Sequence, residues 1–485
     1  MALKHCSILA FALLAGPLAG CGGDKGSALL DPVLSGPPVL ITINGATQPS
    51  GPIGSTAILE GTNFGSFQGQ SGRVWFSNGS GGSVAGVIAI RSDWTNDFIV
   101  ATVPSGAATG PVRVQTAKGM SDTVQFTVTQ SATFSPSTIS WSASTPLPVG
   151  LSGHAAAVAG PPGGGVGTMV YVLGGSDSTH LPRNDVLFSA VDASGHIGDW
   201  VSTLSLPSAV AFHAAVVATP FNSRVASASH LYVLGGATDA AGQPTVAIYK
   251  GRLNTDGTVS DWTSAGNLPL PLHSLGATIF HGDLYIAGGS TNGNVPVATV
   301  YHTRIDTSGA LGAWQALPSL PAARSHHAML SFGGYLYSLG GETGTIAPHD
   351  PSPSSTLDDV AHARINLRTG ALASTSWGLT SSMTKTRSKH TAVLGGGYIL
   401  VTAGIYNGAS SGASEQSYAQ ITGSGAVSSF NGATGSQTIG SAGGKNLFNH
   451  ATVSYADGSG IARIMVIGGD DINDPGKKRA EVWFN

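Results

Sequence analysis

Six times along the chain a short apolar run follows a histidine, crosses a polar turn, and gives way to a second apolar run that stops at a glycine signal. The clearest copy is His327-Ala328-Met329-Leu330, then Tyr335-Leu336-Tyr337-Ser338-Leu339-Gly340-Gly341. Short runs of this kind, bounded by Gly, predict β-strands, and each pair of runs predicts a hairpin. The anchoring histidines are His154, His213, His273, His327, His390 and His450, at intervals of 59, 60, 54, 63 and 60 residues. The closing signals are Gly174-Gly175, Gly235-Gly236, Gly288-Gly289, Gly340-Gly341, Ala403-Gly404 and Gly468-Gly469.

A second signal keeps the same phase. Trp141, Trp200, Trp262, Trp314 and Trp377 precede their histidines by 13, 13, 11, 13 and 13 residues, and Phe430 takes this place before His450. Between aromatic and histidine lies a Leu-Pro turn, at Leu147-Pro148, Leu206-Pro207, Leu268-Pro269 and Leu317-Pro318. A fixed period this long, built of strands bounded by Gly, is the mark of a β-propeller or a similar array. The order of strand, Gly pair, strand, Gly turn, Trp strand, Leu-Pro and His strand resembles the Kelch repeat. Tyr171, Tyr232, Tyr285 and Tyr337, three residues before the first Gly, also fit that family's pattern.

Six inner hairpins imply six blades. The chain stops at Glu481-Val482-Trp483-Phe484, which reads as the third strand of its blade. The missing outer strand is expected from Thr138-Ile139-Ser140-Trp141, so that residues 131–485 close on themselves and leave no exposed edge. Kelch repeats often carry an Arg three residues before the His. Only Arg324 and Arg387 keep it, against Leu151, Val210, Leu270 and Leu447 elsewhere.

Residues 41–130 show short alternating strands between Gly and Pro turns, a pattern that predicts a small β-sandwich. Gly51-Pro52-Ile53-Gly54, Gly61-Thr62-Asn63-Phe64-Gly65, Val103-Pro104 and Thr109-Gly110-Pro111-Val112 resemble the IPT/TIG family of immunoglobulin-like domains. That resemblance implies a fold, not an activity. Asn63-Phe64-Gly65 reads as a turn with Phe64 in the core. The expected fold is all-β: a small immunoglobulin-like β-sandwich followed by a six-bladed Kelch-type β-propeller.

Residues 1–20 hold a basic residue, the apolar run Ile8 to Ala15, and Leu18-Ala19-Gly20 before Cys21. The run is too short to span a bilayer, which needs about 20 residues, and reads as a signal peptide. Leu-Ala-Gly-Cys resembles a bacterial lipobox; the resemblance implies cleavage before Cys21, lipid on its thiol, and export. Gly22, where an Asp would retain the protein at the inner membrane, favours the outer membrane, facing the periplasm or the outside. Residues 21–40, rich in Gly, Pro and Ser, read as a flexible tether. The expected membrane partner is reached through this lipid alone.

The chain has 485 residues, 69 of them Gly, 10% charged and 41% hydrophobic, with a net charge of −3. That balance is too apolar for disorder and lacks the basic patch that nucleic-acid binding needs. Both cysteines, Cys6 and Cys21, lie at the start, so the mature folded part has no thiol. The galactose-oxidase family also joins a Kelch-like propeller to immunoglobulin-like modules, but its copper chemistry needs a Tyr–Cys crosslink and is excluded here. Sialic-acid mutarotases of Kelch fold would need an acid/base pair in the channel mouth, and the sparse charges supply no obvious one. No phosphate loop, Gly-x-Ser-x-Gly elbow or His-Glu-x-x-His motif occurs.

Six in-register histidines invite a metal, but a six-blade channel would hold equivalent residues too far apart to share one ion, so they read as structural. No catalytic residue, cofactor or metal ligand is assigned. Strands running outward as a, b, c and d would put the b–c and d–a loops on one face. The irregular stretches 341–360, 404–415 and 431–449 fall there and read as binding surface. Arg324 and Arg387 lie at d–a boundaries of that face, where two guanidiniums would hold a carboxylate or sulfate, unless each pairs within the fold. Asp470-Asp471-Ile472-Asn473-Asp474 alternates oxygen ligands but lacks the Gly and distal Glu of a Ca²⁺ loop, and reads as a solvated turn. The expected function is a lipid-anchored extracytoplasmic binding or adhesion protein for protein or glycan ligands. Its rivals are a carbohydrate-active enzyme using Asp358, Asp359 or Glu342, and a structural envelope spacer.

Overall fold

The structure, a computed structural model, describes residues 36–43, 49–53, 56–65, 72–88, 93–129, 135–160, 167–219, 228–353, 355–395, 397–406, 416–422, 425–432, 439, 446–457, 461–474 and 476–485. Cys21 and the segments before residue 36 lie outside them. The described part is all-β: strands joined by turns and two short 3-10 segments, with no α-helix among the described residues.

The first unit, residues 36–129, has two sheets around one core. Val39–Ile43, Thr56–Thr62 and Phe98–Thr102 form one. Arg73–Ser77, Gly110–Thr116 and Val124–Thr129 lead the other, with Ser50–Pro52 paired parallel to its edge. Val112 and Val114 point inward and Arg113 outward, as alternation requires of a half-buried strand. Phe76 and Phe126 meet edge to face, and the buried Trp94 donates its indole N–H to the Phe64 carbonyl at 2.7 Å. Phe64 is buried, with Asn63 and Gly65 at φ 61° and 89°, so the turn reading of that stretch describes its geometry.

The second unit, from residue 135, holds six antiparallel sheets of the same plan. Their innermost strands are Ala155–Ala159, Ala214–Ala218, Gly276–Phe280, Ala328–Phe332, Thr391–Gly395 and Ala451–Ala456. Of the second strands, His230–Leu234 and Asp283–Ala287 are buried along their whole length and the other four over all but their first residue or two. Neighbouring sheets cover both their faces, so apolar residues run on without alternating.

The sixth sheet is completed from the other end of the unit, where Ser142 and Ala143 pair with Phe484 and Trp483. The pairing expected at residues 138–141 is therefore displaced towards the C-terminus. Pro136–Thr138 is a 3-10 turn, and Ile139 packs against Val393, Leu400 and Ile464 instead of reaching the sheet edge.

Two cycles of backbone hydrogen bonds pass from sheet to sheet and return to the first. In one, Gly153 donates to Asn449, Asn449 to Lys389, Lys389 to His326, His326 to Ser274, Ser274 to Phe212, and Phe212 back to Gly153, at 2.6–3.0 Å. In the other, Gly175, Gly236, Gly289, Gly341, Gly404 and Gly469 donate to Val210, Leu272, Arg324, Arg387, Leu447 and Leu151 of the next sheet at 2.8–2.9 Å. Side chains add further ties. The hydroxyls of Tyr171, Tyr232, Tyr285 and Tyr337 donate to the carbonyls of Gly257, Gly309, Gly370 and Gly425, one sheet along. The indoles of Trp200, Trp262 and Trp377 reach back to Thr145, Leu204 and Pro318. In the fourth sheet the buried leucine equivalent to Leu147 and Leu206 is Leu320, not Leu317; its N–H donates to Ala298 as that of Leu206 donates to Asn184.

The first unit sits on the turns that follow the first and third strands of the third to fifth sheets. Asp93 pairs with Arg364, Arg368 donates to Asp97 at 2.6 Å, and Ile58 and Val100 enter the core that includes Met329 and Leu336.

Candidate functional site

The innermost strands all begin at one end of the ring axis, and each is preceded by a residue in the left-handed region. These are Gly153, Phe212, Ser274, His326, Lys389 and Asn449, with φ between 52° and 58°. Five of the six carry a side chain where glycine is the unstrained choice, and such strain persists only where surrounding structure holds it. The closed cycle of N–H···O=C bonds through these residues is that restraint.

The next position in each sheet is His154, His213, Leu275, His327, His390 and His450. Two observations put Leu275, not His273, in the third place. Gly289 lies against Leu275 as Gly175 lies against His154 and Gly341 against His327. His273 bridges to Ser290 as Ser152 bridges to Ser176 and Ser325 to Glu342. The residue matching Leu151 and Val210 is accordingly Leu272, whose carbonyl accepts from Gly236, and not Leu270.

Four of the five imidazoles wedge against a glycine of the preceding sheet, and His450 has Ala403 there instead. A Cβ on Gly174, Gly288, Gly340 or Gly468 would stand 2.7–3.0 Å from Cε1 of His213, His327, His390 or His154. Burial pushes His154 down to about 4 and His213, His327 and His450 down to about 3, so these rings are neutral packing elements at neutral pH. Among the described residues no three His, Cys, Asp or Glu side chains converge closely enough to hold a metal ion.

Side chains of the left-handed residues converge around an axial cavity of about 140 Å³, whose wall includes Phe212, Ser274, His326, Lys389 and Asn449. A strap from the long loop of the fourth sheet, Thr345 to Asp350, is held by three of these residues, Lys389, Asn449 and Phe212. Lys389 Nζ donates to the carbonyls of Asp350, Pro348 and Ala347 at 2.5, 2.8 and 3.3 Å. Asn449 Nδ2 donates to the Pro348 carbonyl at 3.2 Å and to Asp470 Oδ2 at 3.1 Å. The His349 ring packs edge-on against Phe212 at 4.8 Å and against His180 at 4.3 Å. His326 and Ser274 join by Nε2 and Oγ at 2.8 Å. Burial lowers Lys389 to about 8, with Glu342, Asp350 and Asp470 acting in the opposite sense.

Arg324 and Arg387 are both fully buried. Arg324 forms a two-pronged pair with Asp359, at 2.6 and 2.8 Å, and donates to the Gly340 carbonyl. Arg387 donates to the Ala403 carbonyl and lies over the Tyr406 ring. Neither guanidinium reaches the solvent that a ligand would arrive from. Of the three acids considered for catalysis, Glu342 is fully buried, Asp359 is held by Arg324, and Asp358 is half-buried.

The turn at 470–474 is not solvated throughout. Asp470 and Asp471 are buried and paired with Lys478 at 2.5 Å and Arg479 at 2.6 Å, and Lys478 is the register partner of Asp470 across the hairpin. With those cations present, these carboxylates are already neutralised.

Sequence reading missed the strap, His326 and Lys389. The signal available was a position before each repeat residue that changes identity in every copy while its neighbours repeat. The stretches 407–415, 433–438 and 440–445 of the other two long loops lie outside the described residues. A scan against protein-family models and a search of curated proteins each return no match.

Proposed function

We propose that the chain is a lipid-anchored extracytoplasmic binding protein of the bacterial envelope, carrying an immunoglobulin-like sandwich of IPT/TIG type on a six-bladed Kelch-type propeller. The six antiparallel sheets, five of four strands and one of five, and the two closed hydrogen-bond cycles support the propeller reading. The anchor reading rests on Leu18-Ala19-Gly20-Cys21.

One observation carries the function. The first unit covers turns at one end of the ring through Asp93–Arg364, Asp97–Arg368 and the Ile58 and Val100 contacts. The long loops leave from the other end, around the axial mouth, and there Leu181 and Val295 are exposed apolar residues on the loops of the first and third sheets. A sandwich that acts as a stalk would turn that loop face outward, to a protein or glycan ligand. Arg324 and Arg387 belong to the frame of this face rather than its contact surface.

The test is binding of the soluble chain, beginning after Cys21, to glycan arrays and to envelope fractions. Saturable binding is expected, and Leu181→Asp/Val295→Asp should weaken it at least tenfold. Binding untouched by that change would move the site elsewhere, and turnover of a sugar lost with Asp358→Asn would favour an enzyme.

A further inference from the structure

The strap is seated as a bound peptide would be. Its contacts to the mouth are made by main-chain carbonyls, three to Lys389 and one of these also to Asn449, and by one inserted ring, His349, between Phe212 and His180. Ile346 and Pro348 are buried while Thr345, Ala347 and Asp350 are exposed, the in-and-out alternation of an extended segment laid on a surface. Among the described residues the one backbone–backbone bond between Thr345 and Asp350 is the local turn from Asp350 N–H to the Ala347 carbonyl, so no sheet holds the strap down. Main-chain recognition is tolerant of sequence, and a buried ammonium needs its donors satisfied by something. The strap satisfies them in cis.

We infer that the axial mouth is a cradle for an extended, proline-containing peptide that inserts an imidazole or aromatic side chain, and that the segment Thr345 to Asp350 occupies it in the absence of such a partner. This deepens the loop-face reading and rests on it: it names the partner's chemistry and the residues that hold it. Lys389 and Asn449 would take the carbonyls, and Phe212 and His180 would flank the ring. Occupation by a tethered segment raises its local concentration to the millimolar range, so a partner must compete with it and free peptide binds weakly to the intact chain.

The experiment uses the soluble full chain with Thr345 to Asp350 replaced by a Gly/Ser linker, and a labelled synthetic peptide matching residues 343–353. The replaced chain should bind this peptide saturably, at least tenfold more tightly than the unaltered chain does. Adding Lys389→Met, or placing Ser at the His349 position of the peptide, should abolish most of that gain. A replaced chain with a cooperative melt that ignores the peptide overturns the inference, as does equal binding by the unaltered chain. If the replaced chain does not fold, hydrogen exchange in Lys389→Met serves instead. The Asp350 amide, the strap N–H bonded to the backbone, should then exchange at least tenfold faster, and unchanged exchange overturns the inference. An envelope ligand that protects the loop face without being displaced by the peptide would sink this inference and leave the binding reading standing. Absence of any ligand on that face would sink the binding reading itself.

Discussion

Mild acid should unfold this protein, and the buried histidines determine how steeply. An unfolded histidine takes up its proton near pH 6.5, whereas burial holds His154 down to about 4 and His213, His327 and His450 down to about 3. The folded value is the lower one. The stabilisation is therefore complete above pH 6.5 and is lost as the pH falls towards the folded values. Each of these histidines removes about 1.4 kcal/mol per pH unit across that window, and the four together about 5. A fold of ordinary stability, about 5–15 kcal/mol, is exhausted within roughly one to three units. Asp283 is lowered from 3.8, so its own contribution leaves only at more acid pH and does not blur the histidine window. The assay is urea unfolding by far-UV circular dichroism at several pH values between about 7.5 and about 5. His213→Leu, patterned on the natural Leu275, should remove one proton's share of the slope, about 1.4 kcal/mol per unit. A flat pH dependence, or an unchanged slope in His213→Leu, would refute the reasoning.

Other substitutions test the frame. Arg324→Ala should lower stability by about 3 kcal/mol, because Asp359 loses its two-pronged partner inside the fold; a urea midpoint within error of the unaltered chain's would show the pair to be dispensable. Tyr232→Phe removes one sheet-to-sheet bond, to the Gly309 carbonyl, and should cost about 1 kcal/mol in the same assay. Gly341→Ala puts a Cβ 2.7 Å from both His327 Cβ and the Ser325 carbonyl at φ 99°, and should cost more than the roughly 1–2 kcal/mol of left-handed strain alone, read as a drop in melting temperature.

The all-β class was legible because the period is long and repeated, and because Tyr and Gly recur where one sheet ties to the next. What misled was residue type standing in for position. His273 lies two residues before Leu275, so a histidine was present but the wedge position held a leucine. Leu317-Pro318 and Leu320-Pro321 offer the same dipeptide twice, and only the backbone bond from Leu320 to Ala298 separates them. The mouth was illegible for the opposite reason. Gly153, Phe212, Ser274, His326, Lys389 and Asn449 share a conformation but no chemistry. Their common role is set by backbone geometry, which one sequence does not display. The seating of the strap depends on a contact between Lys389 and carbonyls about 40 positions earlier in the chain, which no local pattern announces.

The most direct measurement is a hydroxyl-radical footprint of the soluble chain, free and holding ligand captured saturably from the envelope. Protection should fall on Leu181 and Val295, while Val87 of the first unit and the turns around Arg368 stay unchanged. Protection confined to the first unit or to those turns would contradict the account, because the ligand would then be held at the end of the ring assigned to the stalk.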